Sequence, residues 1–488
     1  MEIENETEEK KQTETVQVIF TTKYKEYQVI ETPFEIPVSL TRYGLSEVIN
    51  HLLGKEKPIP FEFLINEEFL RTSLKQFLDE KNLSSEKQVT LEYVPALPQP
   101  KQFNQFLHDD WVSAVDGKNS FNIFATGCYD NLVRIWKSGL YKLKGNEIEE
   151  KKPIHVNLNQ NQNQNQEQPS LILSHHSKPI KSVKWLKFNE NISNQKYHLL
   201  LSASLDEQII LWKISSNLNS YSILTKFIGH SEGINDIALN PKRNLFCSCG
   251  NDSLCFIWDI NDKKNEYQNQ EENQEENQNE NQNENKIIEN NTPIASLRGH
   301  TQAVSAAIWP SQSSIYTTSY DYTIKKWDVE KQSLVWEAFS KNTIHCLHYN
   351  QYEYPYLNFE SNQNQNQNQN QTRKESELLL TGHSDGIIRL WDNRIPSNSE
   401  ESCVIKTLFK SHTSWISSLK WKPNSDFVFA SGSYDGSVKI WDIRTKIPLF
   451  TLKRNSEKIL DIDWLDSQNL LTASADQTVK QIILKISN

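Results

Sequence analysis

The chain has 488 residues, enough for two or more domains and a large buried core. Its formal net charge of -10 argues against sequence-independent binding to nucleic acid or an anionic membrane, because both require a basic surface. The acidic start MEIENETEEKKQTE lacks the apolar core of a secretory signal, and no later run approaches the roughly 18 apolar residues of a membrane span. We therefore predict an intracellular, soluble protein in which residues 1–15 form a disordered tail.

Residues 16–95 show no internal repeat and predict a small mixed domain. VQVIFTT and EYQVIETPFEIP alternate in polarity and predict two strands. RYGLSEVINHLLG predicts a helix with Leu45, Val48, Ile49, Leu52 and Leu53 on one face and Gly54 as C-cap. IPFEFLINEEFL predicts a strand and turn, TSLKQFLDEKN a short helix and KQVTLEYV a last strand. This order is that of a ubiquitin-like β-grasp (α+β) domain.

After a predicted linker at 96–104, one phrase recurs seven times, in which a Ser or Thr is followed four residues later by Asp and six further on by Trp or an apolar residue. The copies are TGCYDNLVRIW, SASLDEQIILW, SCGNDSLCFIW, TTSYDYTIKKW, TGHSDGIIRLW, SGSYDGSVKIW and TASADQTVKQI. The residues after each Asp alternate, which predicts two strands joined by a tight turn at the Asp. A further strand signal, such as GHSEGINDIAL, precedes most copies.

These phrases resemble the WD-repeat family, and seven copies imply a mainly β chain with a seven-bladed β-propeller at 105–488. The resemblance implies a buried hydrogen-bond relay in which a His bridges the turn Asp and the strand Ser or Thr, which also meets the Trp. The matching sets are His108, Asp130, Thr126, Trp136; His176, Asp206, Ser202, Trp212; His230, Asp252, Ser248, Trp258; His300, Asp321, Thr317, Trp327; and His412, Asp435, Ser431, Trp441. A catalytic triad occurs once at a strained turn, whereas this trio recurs blade after blade, so we interpret it as structural.

Two blades depart from the pattern, since Ser340 and Asn455 stand where the His is expected. The last blade also has Ile482 in place of Trp. We expect a strand from residues around Gln105 to Asp116 to complete that blade and close the ring.

Three Asn/Gln-rich inserts interrupt the repeats near 157–168, 263–291 and 361–373. Such tracts bury too little apolar surface to offset their ordering entropy, so we expect disordered surface loops. Four of the six cysteines, Cys128, Cys247, Cys249 and Cys255, fall in strand-like stretches and are predicted to be reduced core thiols.

The phrases PVSLTRYGLSEVINHLLG and PFEFLINEEFLRTSLKQFLDEKNLSSE resemble the Notchless-like domain of eukaryotic ribosome-assembly factors. With seven repeats behind it, the chain is most similar to the WD repeat-containing protein 12 family. That resemblance implies a non-catalytic factor for the large (60S) subunit and its rRNAs, acting in the nucleolus and nucleoplasm. It implies a complex with Pescadillo and Block-of-proliferation, and release from pre-60S particles by the AAA+ ATPase midasin.

Glu86, in the corner KNLSSEKQVTLEYV, reads from pattern alone as an idle surface charge, as most glutamates are. The family resemblance implies instead that Glu86 completes the coordination of a Mg²⁺ ion held by the adhesion site of midasin. Mg²⁺ takes six oxygens, so an incomplete site accepts one outside carboxylate. Arg42, Ser84 and Ser85 are candidate contacts at the rim, and no cofactor of the chain's own is expected.

Aromatic residues mark a candidate partner-binding face on the propeller. Tyr129, Tyr320 and Tyr434 directly precede turn aspartates, and Trp111 and Trp415 stand near the start of their blades. Such residues look outward in the WD-repeat family, and aromatic clusters are common hot spots for partners. The alternative is that these rings simply pack between blades.

Other functions fit the sequence less well. A Notchless-type pre-60S factor and a substrate receptor of a ubiquitin ligase remain alternatives, although no F-box-like segment precedes the blades. An RNA-binding scaffold is disfavoured by the acidic balance. No phosphate loop, nucleophile elbow or metal-ligand cluster points to an enzyme.

Overall fold

A computed structural model describes residues 14–54, 58–66, 68–81, 88–96, 99–118, 122–138, 141–144, 147–150, 168–186, 197–241, 244–260, 288–350, 378–392, 405–425 and 427–484. The chain divides into two compact units between Gln99 and Pro100. Neither described helix is long and apolar enough to cross a membrane.

The first unit is a five-stranded mixed sheet packed against two helices. Its elements are β1 (Thr15–Thr21), a 3-10 turn (Lys25–Tyr27), β2 (Pro33–Pro37), α1 (Arg42–Leu53), β3 (Phe61–Ile65), β4 (Glu68–Phe69), α2 (Leu74–Glu80) and β5 (Val89–Pro95). The strand order is β2-β1-β5-β3-β4, with β1 and β5 parallel and the other pairs antiparallel. This is the β-grasp arrangement that the order of sequence patterns predicted.

Helix α1 covers one face of this sheet with a narrower apolar stripe than the sequence suggested. Leu45 and Ile49 are fully buried and Val48 and Leu53 partly so, but Leu52, predicted on the same face, is exposed. Gly54 ends the helix in the left-handed conformation at φ 60°, where a residue without a Cβ is favoured. At the start of α2 the Ser73 hydroxyl accepts a hydrogen bond from the Gln76 amide, which caps the helix.

The second unit consists almost entirely of strands. The first half contains β6 (Lys101–Leu107), β7 (Val112–Lys118), β8 (Ile123–Cys128), β9 (Leu132–Lys137), β10 (Tyr141–Lys144), β11 (Glu147–Glu150), β12 (Leu171–Ser174), β13 (Ile180–Leu186), β14 (Tyr197–Ser204), β15 (Gln208–Ser215), β16 (Tyr221–Ile228), β17 (Ile234–Leu239), β18 (Leu245–Gly250), β19 (Cys255–Asp259) and β20 (Ile288–Asn290). The second half contains β21 (Ala295–Leu297), β22 (Val304–Ile308), β23 (Ser314–Ser319), β24 (Thr323–Asp328), β25 (Ser333–Phe339), β26 (Ile344–Tyr349), β27 (Leu378–His383), β28 (Ile387–Asp392), β29 (Ile405–Lys410), β30 (Ile416–Trp421), β31 (Val428–Ser433), β32 (Val438–Asp442), β33 (Phe450–Leu452), β34 (Ile459–Trp464), β35 (Asn469–Ser474) and β36 (Thr478–Ile483).

Within the described residues these strands form seven blades and one hairpin, β10-β11. The blades, numbered 1 to 7, are β7-β8-β9-β12, β13-β14-β15-β16-β20, β17-β18-β19-β21, β22-β23-β24-β25, β26-β27-β28-β29, β30-β31-β32-β33 and β34-β35-β36-β6. The first strand of each blade contacts the first strand of the next, and β34 returns to β7. The ring is therefore closed, which confirms the seven-bladed propeller.

Strand β6 closes the ring by pairing antiparallel with β36 as the outermost strand of blade 7. The closing strand overlaps only the start of the expected region, since Gln105 lies in it but Asp116 belongs to the inner strand of blade 1. The predicted linker at 96–104 was also too long, because residues from Lys101 onward already belong to this strand.

The second predicted insert, 263–291, was also too long, because its last residues belong to a strand. Residues 288–290 form a strand that pairs parallel with β16, with Thr225 opposite Ile288, and give blade 2 a fifth strand. Residues 263–287 of that insert, residues 157–167 of the first and all of the third lie outside the described residues. Cys128, Cys247, Cys249, Cys255 and Cys346 are buried free thiols.

Candidate functional site

Blades 2, 3, 4 and 6 contain a complete hydrogen-bond relay. In blade 2, His176 Nδ1 lies 2.8 Å from Asp206 Oδ2 and Nε2 lies 2.8 Å from Ser202 Oγ. Trp212 Nε1 donates to the same hydroxyl at 2.8 Å. The equivalent contacts of 2.7–2.9 Å join His230, Asp252, Ser248, Trp258; His300, Asp321, Thr317, Trp327; and His412, Asp435, Ser431, Trp441.

The relay carboxylates are charged and hold the turns in place through hydrogen bonds. Burial alone would raise the pKa of Asp206 and Asp252, but hydrogen bonds from the histidines and from backbone amides outweigh it and lower both pKa values. Asp321 and Asp435 behave in the same way. The relay therefore fixes each turn to its sheet, which supports the structural interpretation of the repeated Ser, His and Asp.

Blade 1 forms only part of the predicted relay. His108 Nε2 contacts Thr126 Oγ1 at 2.8 Å, and Trp136 Nε1 donates to that hydroxyl at 3.0 Å. Asp130, however, pairs with Arg134 at 2.6 Å, so the predicted contact between His108 and Asp130 was wrong. Burial, followed by the charge of Arg134, lowers the pKa of His108 to about 4, which keeps the imidazole neutral at pH 7.

A basic residue four positions after the turn Asp likewise replaces the histidine in blades 5 and 7. Asp385 pairs with Arg389 at 2.7 Å, and Asp476 pairs with Lys480 at 3.0 Å. In blade 5 the sequence analysis missed His383. This residue follows Thr381 by two positions on the same strand, and its Nε2 lies 2.7 Å from Thr381 Oγ1. The signal for His383 was visible in the sequence as TGH. The cation after the Asp is not a signal by itself, because Lys325 and Lys439 occupy the same position in blades 4 and 6, where the relay is complete.

We expect Thr317→Val to lower the free energy of unfolding by about 1–3 kcal/mol, because His300 and Trp327 would both lose a buried partner. Thr472→Val is the matched control, since Thr472 occupies the same position in blade 7 with only a 3.4 Å bond to the Lys480 carbonyl. Urea unfolding of both variants measures the difference. Equal losses would contradict a stabilising role for the relay.

The inner strand of every blade carries a β-bulge at its second residue. A bulge inserts one residue opposite a continuous partner and redirects its side chain. The seven bulge residues are Ser113, Lys181, Asn235, Ser305, His345, Ser417 and Leu460, and all of them line one cavity of about 190 Å³. This cavity is the mouth of the central channel. It could not be predicted from the sequence, because the bulge residues share no chemistry.

The five predicted aromatic residues lie around this mouth. Tyr129, Tyr320, Tyr434 and Trp415 line the cavity, and Trp111 packs on Tyr129 with ring centroids 5.6 Å apart. Trp111 and Trp415 are 43% and 48% exposed.

Trp415 is the centre of an arc of stacked rings on this face. It stacks on Tyr434 at 5.7 Å and on His345 at 4.9 Å. His345 also meets Tyr320 at 5.4 Å. Burial lowers the pKa of His345, so its ring is neutral at pH 7.

The fold does not require aromatic residues at these positions. In each blade the amide before the turn Asp donates to the carbonyl of the residue before the inner strand, as Tyr129 does to Trp111 and Tyr434 to Trp415. Blades 2, 3, 5 and 7 make the same bond with Leu205, Asn251, Ser384 and Ala475 in place of the tyrosine. The partly exposed rings are therefore available for contact with another molecule.

Deeper in the channel, aspartates join neighbouring blades. Asp461 in blade 7 accepts from the Ser418 hydroxyl of blade 6 at 2.7 Å and from the Val115 amide of blade 1 at 2.9 Å. Asp236 repeats the motif in blade 3, with the Ser182 hydroxyl at 3.0 Å and the Ala307 amide at 3.3 Å.

The predicted site of the first unit is only partly described. Glu86, Ser84 and Ser85 lie outside the described residues, in the segment between α2 and β5. Arg42 is half-exposed and pairs with Glu62, which also binds Arg71 at 2.9 Å. Arg42 is therefore already engaged in a surface ion-pair network.

The geometry defines a class of protein, a β-grasp unit on the same chain as a propeller with partly exposed aromatic rings at its channel mouth. The NLE (NUC135) domain matches residues 16–78, and the WD domain, G-beta repeat, matches 101–137, 221–259, 291–328, 402–442 and 446–482.

Full-length relatives give the particular family. The chain is 30% identical over 480 residues to "Ribosome biogenesis protein WDR12 homolog" of Nematostella vectensis, covering 96% of this chain and 99% of the relative. It is also 30% identical to the proteins of that name from Oryza sativa subsp. japonica, over 91% of each chain, and from Arabidopsis thaliana, over 92% of this chain and 94% of the relative. The chain belongs to the WDR12 family of ribosome biogenesis proteins.

Proposed function

We propose that this chain is a non-catalytic assembly factor of the large (60S) ribosomal subunit, needed for maturation of the 25S/28S and 5.8S rRNAs. Family membership supports a role in ribosome assembly. The observation that carries a scaffolding role is the arc of partly exposed rings at the channel mouth. The propeller binds Pescadillo and Block-of-proliferation through this face, in the nucleolus and nucleoplasm.

In release, the β-grasp unit is the part of the chain on which the ATPase pulls. In this proposal Glu86 enters the adhesion site of midasin and supplies the last oxygen to its Mg²⁺, and ATP hydrolysis in midasin then pulls the factor off the pre-60S particle. The support from this chain is the framework on either side: Phe77 and Leu78 of α2 and Leu91 of β5 are buried in one core. That core anchors both ends of the segment that carries Glu86, so a pulling force is transmitted to the whole unit.

Two alternatives make different predictions for companions. A Notchless-type factor would join pre-60S particles without Pescadillo and Block-of-proliferation, and a ubiquitin-ligase receptor would bring down ligase subunits. Affinity purification of the full chain followed by mass spectrometry separates the three. Recovery of ligase subunits in place of preribosomal proteins would overturn the proposal.

We expect the double variant Trp111→Ala, Trp415→Ala to bind the Block-of-proliferation homologue at least about 30-fold more weakly, because aromatic hot spots contribute about 2 kcal/mol or more each. Both rings are partly exposed, so the fold should persist. Phe339→Ala on β25 is the control, since that ring is 61% exposed but lies outside the mouth. Calorimetric titration gives the affinities; unchanged binding by the double variant, or an equal loss in the control, would place the interface elsewhere.

A further inference from the structure

We propose that the outer edge of blade 4, strand β25, binds an extended segment of another protein, which adds to the blade as a fifth strand. This segment carries apolar side chains between acidic ends. The edge lies on the side of the propeller and contributes no residue to the channel mouth. Its partner is therefore distinct from the one proposed for the mouth.

Strand β25 exposes more apolar surface than the other outer strands. Leu334, Val335 and Phe339 are 44%, 57% and 61% exposed, whereas none of the other outer strands has more than one exposed large apolar residue among the described residues. Soluble proteins usually protect such edges with lysine or proline, or cover them with another element. Strand β25 contains neither residue, and its one charged side chain, Glu337, already pairs with Lys325. An unprotected apolar edge of this kind indicates a binding surface.

Blade 2 shows that an outer edge of this propeller accepts an additional strand. There β20 pairs parallel with residues 225–227 of β16. The outer strands of both blades contain a bulge at the same place, next to Trp212 in blade 2 and Trp327 in blade 4. When the two blades are aligned at this bulge, residues 336–338 of β25 are the counterparts of 225–227. The bulge therefore does not prevent strand addition at these positions.

The covered edge of blade 2 also shields the apolar residues that blade 4 exposes. The counterparts of Leu334, Val335 and Phe339 are Ile223, Leu224 and Ile228, and each of these is only partly exposed. A strand added to β25 would likewise remove apolar side chains from water, which is favourable.

The backbone of β25 has hydrogen-bonding groups for such a strand. The Ser340 amide donates to the Tyr322 carbonyl at 2.7 Å, on the side of β24. Because backbone groups alternate in direction along an antiparallel strand, the amides and carbonyls of Glu337 and Phe339 point to the opposite side. Among the described residues, no strand pairs with β25 on that side.

A second copy of this chain fits the edge poorly. Antiparallel pairing of two β25 strands centred on Trp336 would place Lys331 opposite Lys341 of the other copy. Pairing centred on Glu337 would place the two Glu337 side chains opposite each other. Like charges directly opposite are destabilising in a sheet.

The chain itself also has less to offer here than in blade 2. Strand β20 belongs to the 35-residue connection between β19 and β21, residues 260–294. The corresponding connection in blade 5, between β28 and β29, has 12 residues, 393–404. Those residues would have to leave blade 5, pair along β25 and return, which leaves little chain for the pairing. A strand from another molecule has no such constraint.

The charges at the two ends of the edge define the ends of the partner segment. Lys331 is 78% exposed, with its ammonium 3.9 Å from Asp328. Lys341 is exposed and makes no ion pair with a described residue. Acidic residues on both sides of an apolar segment would lie near these lysines, and such complementarity fixes register and excludes wrong partners.

The full chain can be titrated with a fluorescein-labelled nonapeptide that has glutamate at each end and alternating valine and threonine between them. The control peptide has the same side chains, but its seven central amides are N-methylated and cannot donate hydrogen bonds. We expect saturable binding of the first peptide and at least tenfold weaker binding of the second, measured by fluorescence anisotropy. No binding of the first peptide, or equal binding of both, would overturn strand addition.

A charge variant locates the peptide on blade 4. We expect Val335→Glu to weaken binding of the peptide at least tenfold, because it removes an apolar contact and adds a negative charge beside an acidic ligand. Ile172→Glu is the matched control, since Ile172 is 44% exposed on the outer strand of blade 1. An equal loss in both variants, or no loss in either, would contradict a site on β25.

Two measurements on the free chain test the other occupants. Sedimentation should show a monomer, and a dimer that Val335→Glu dissociates would assign the edge to a second copy. The amides of Glu337 and Phe339 should exchange with solvent at least tenfold more slowly once the peptide is bound. Slow exchange without the peptide would show that the chain covers its own edge. Either of these contrary results would overturn the proposal.

Discussion

Replacing Asp461 by alanine is expected to lower the free energy of unfolding of the propeller by about 2–5 kcal/mol. The carboxylate accepts hydrogen bonds from Ser418 and Val115, and each donor left without an acceptor in a partly buried place costs about 1–3 kcal/mol. The bond to Val115 also joins residues 346 positions apart, across the seam where the ring closes. Asp463 makes a second contact of this kind, since its carboxylate accepts a hydrogen bond from the Gly117 amide at 2.8 Å.

The matched control is Asp236→Ala, which removes the same kinds of bond from blade 3. Its amide partner Ala307 is only 71 positions away, so no seam is opened. Urea titrations followed by tryptophan fluorescence give both free energies. We expect the larger loss for Asp461→Ala; a loss below about 1 kcal/mol, or a larger loss for Asp236→Ala, would show that the channel aspartates do not hold the ring closed.

The repeats could be predicted because their chemistry is local. Each copy places its Ser or Thr, its Asp and its Trp, or Ile482 in the last blade, within about ten residues on two paired strands, so spacing alone aligns them. The His to Asp contact fails in blade 1 for a reason that spacing does not reveal. Arg134, on the strand that follows the turn, pairs with Asp130, whereas the lysines at the same position in blades 4 and 6 contact Glu337 and Ser411 and leave the Asp to the His.

The channel mouth could not be predicted, because its parts are distant in sequence and unlike in type. Ser113 and Leu460 occupy equivalent bulges at opposite ends of the propeller sequence, yet meet in one cavity. The contacts of the channel aspartates could not be predicted either, since Asp461 accepts a hydrogen bond from a backbone amide of another blade. Strand β20 was not predicted, because it lies at the end of a polar insert whose composition predicts disorder. Its residue Ile288 nevertheless pairs with β16 at the edge of the blade 2 sheet.

Glu86→Ala is expected to weaken capture by the adhesion site of midasin at least about 30-fold, since removing one partner of a desolvated charge contact costs about 2–5 kcal/mol. Glu86→Asp should fail as well, because its side chain is one methylene shorter and Mg²⁺ tolerates little deviation from octahedral geometry. Binding of each variant to the recombinant adhesion domain in the presence of Mg²⁺ measures the loss. In cells, both variants should accumulate on pre-60S particles in sucrose gradients.

The control for this experiment is Glu80→Ala, which removes an exposed glutamate at the end of α2, six residues earlier in the chain. Both alanine variants should unfold at the temperature of the unmodified protein, because each change removes a charged side chain and leaves the apolar residues of the core around Phe77 and Leu91 unchanged. A release defect with an intact fold would then be specific to the metal contact. Normal release of Glu86→Ala, or an equal defect in Glu80→Ala, would mean that midasin holds this unit by some other surface.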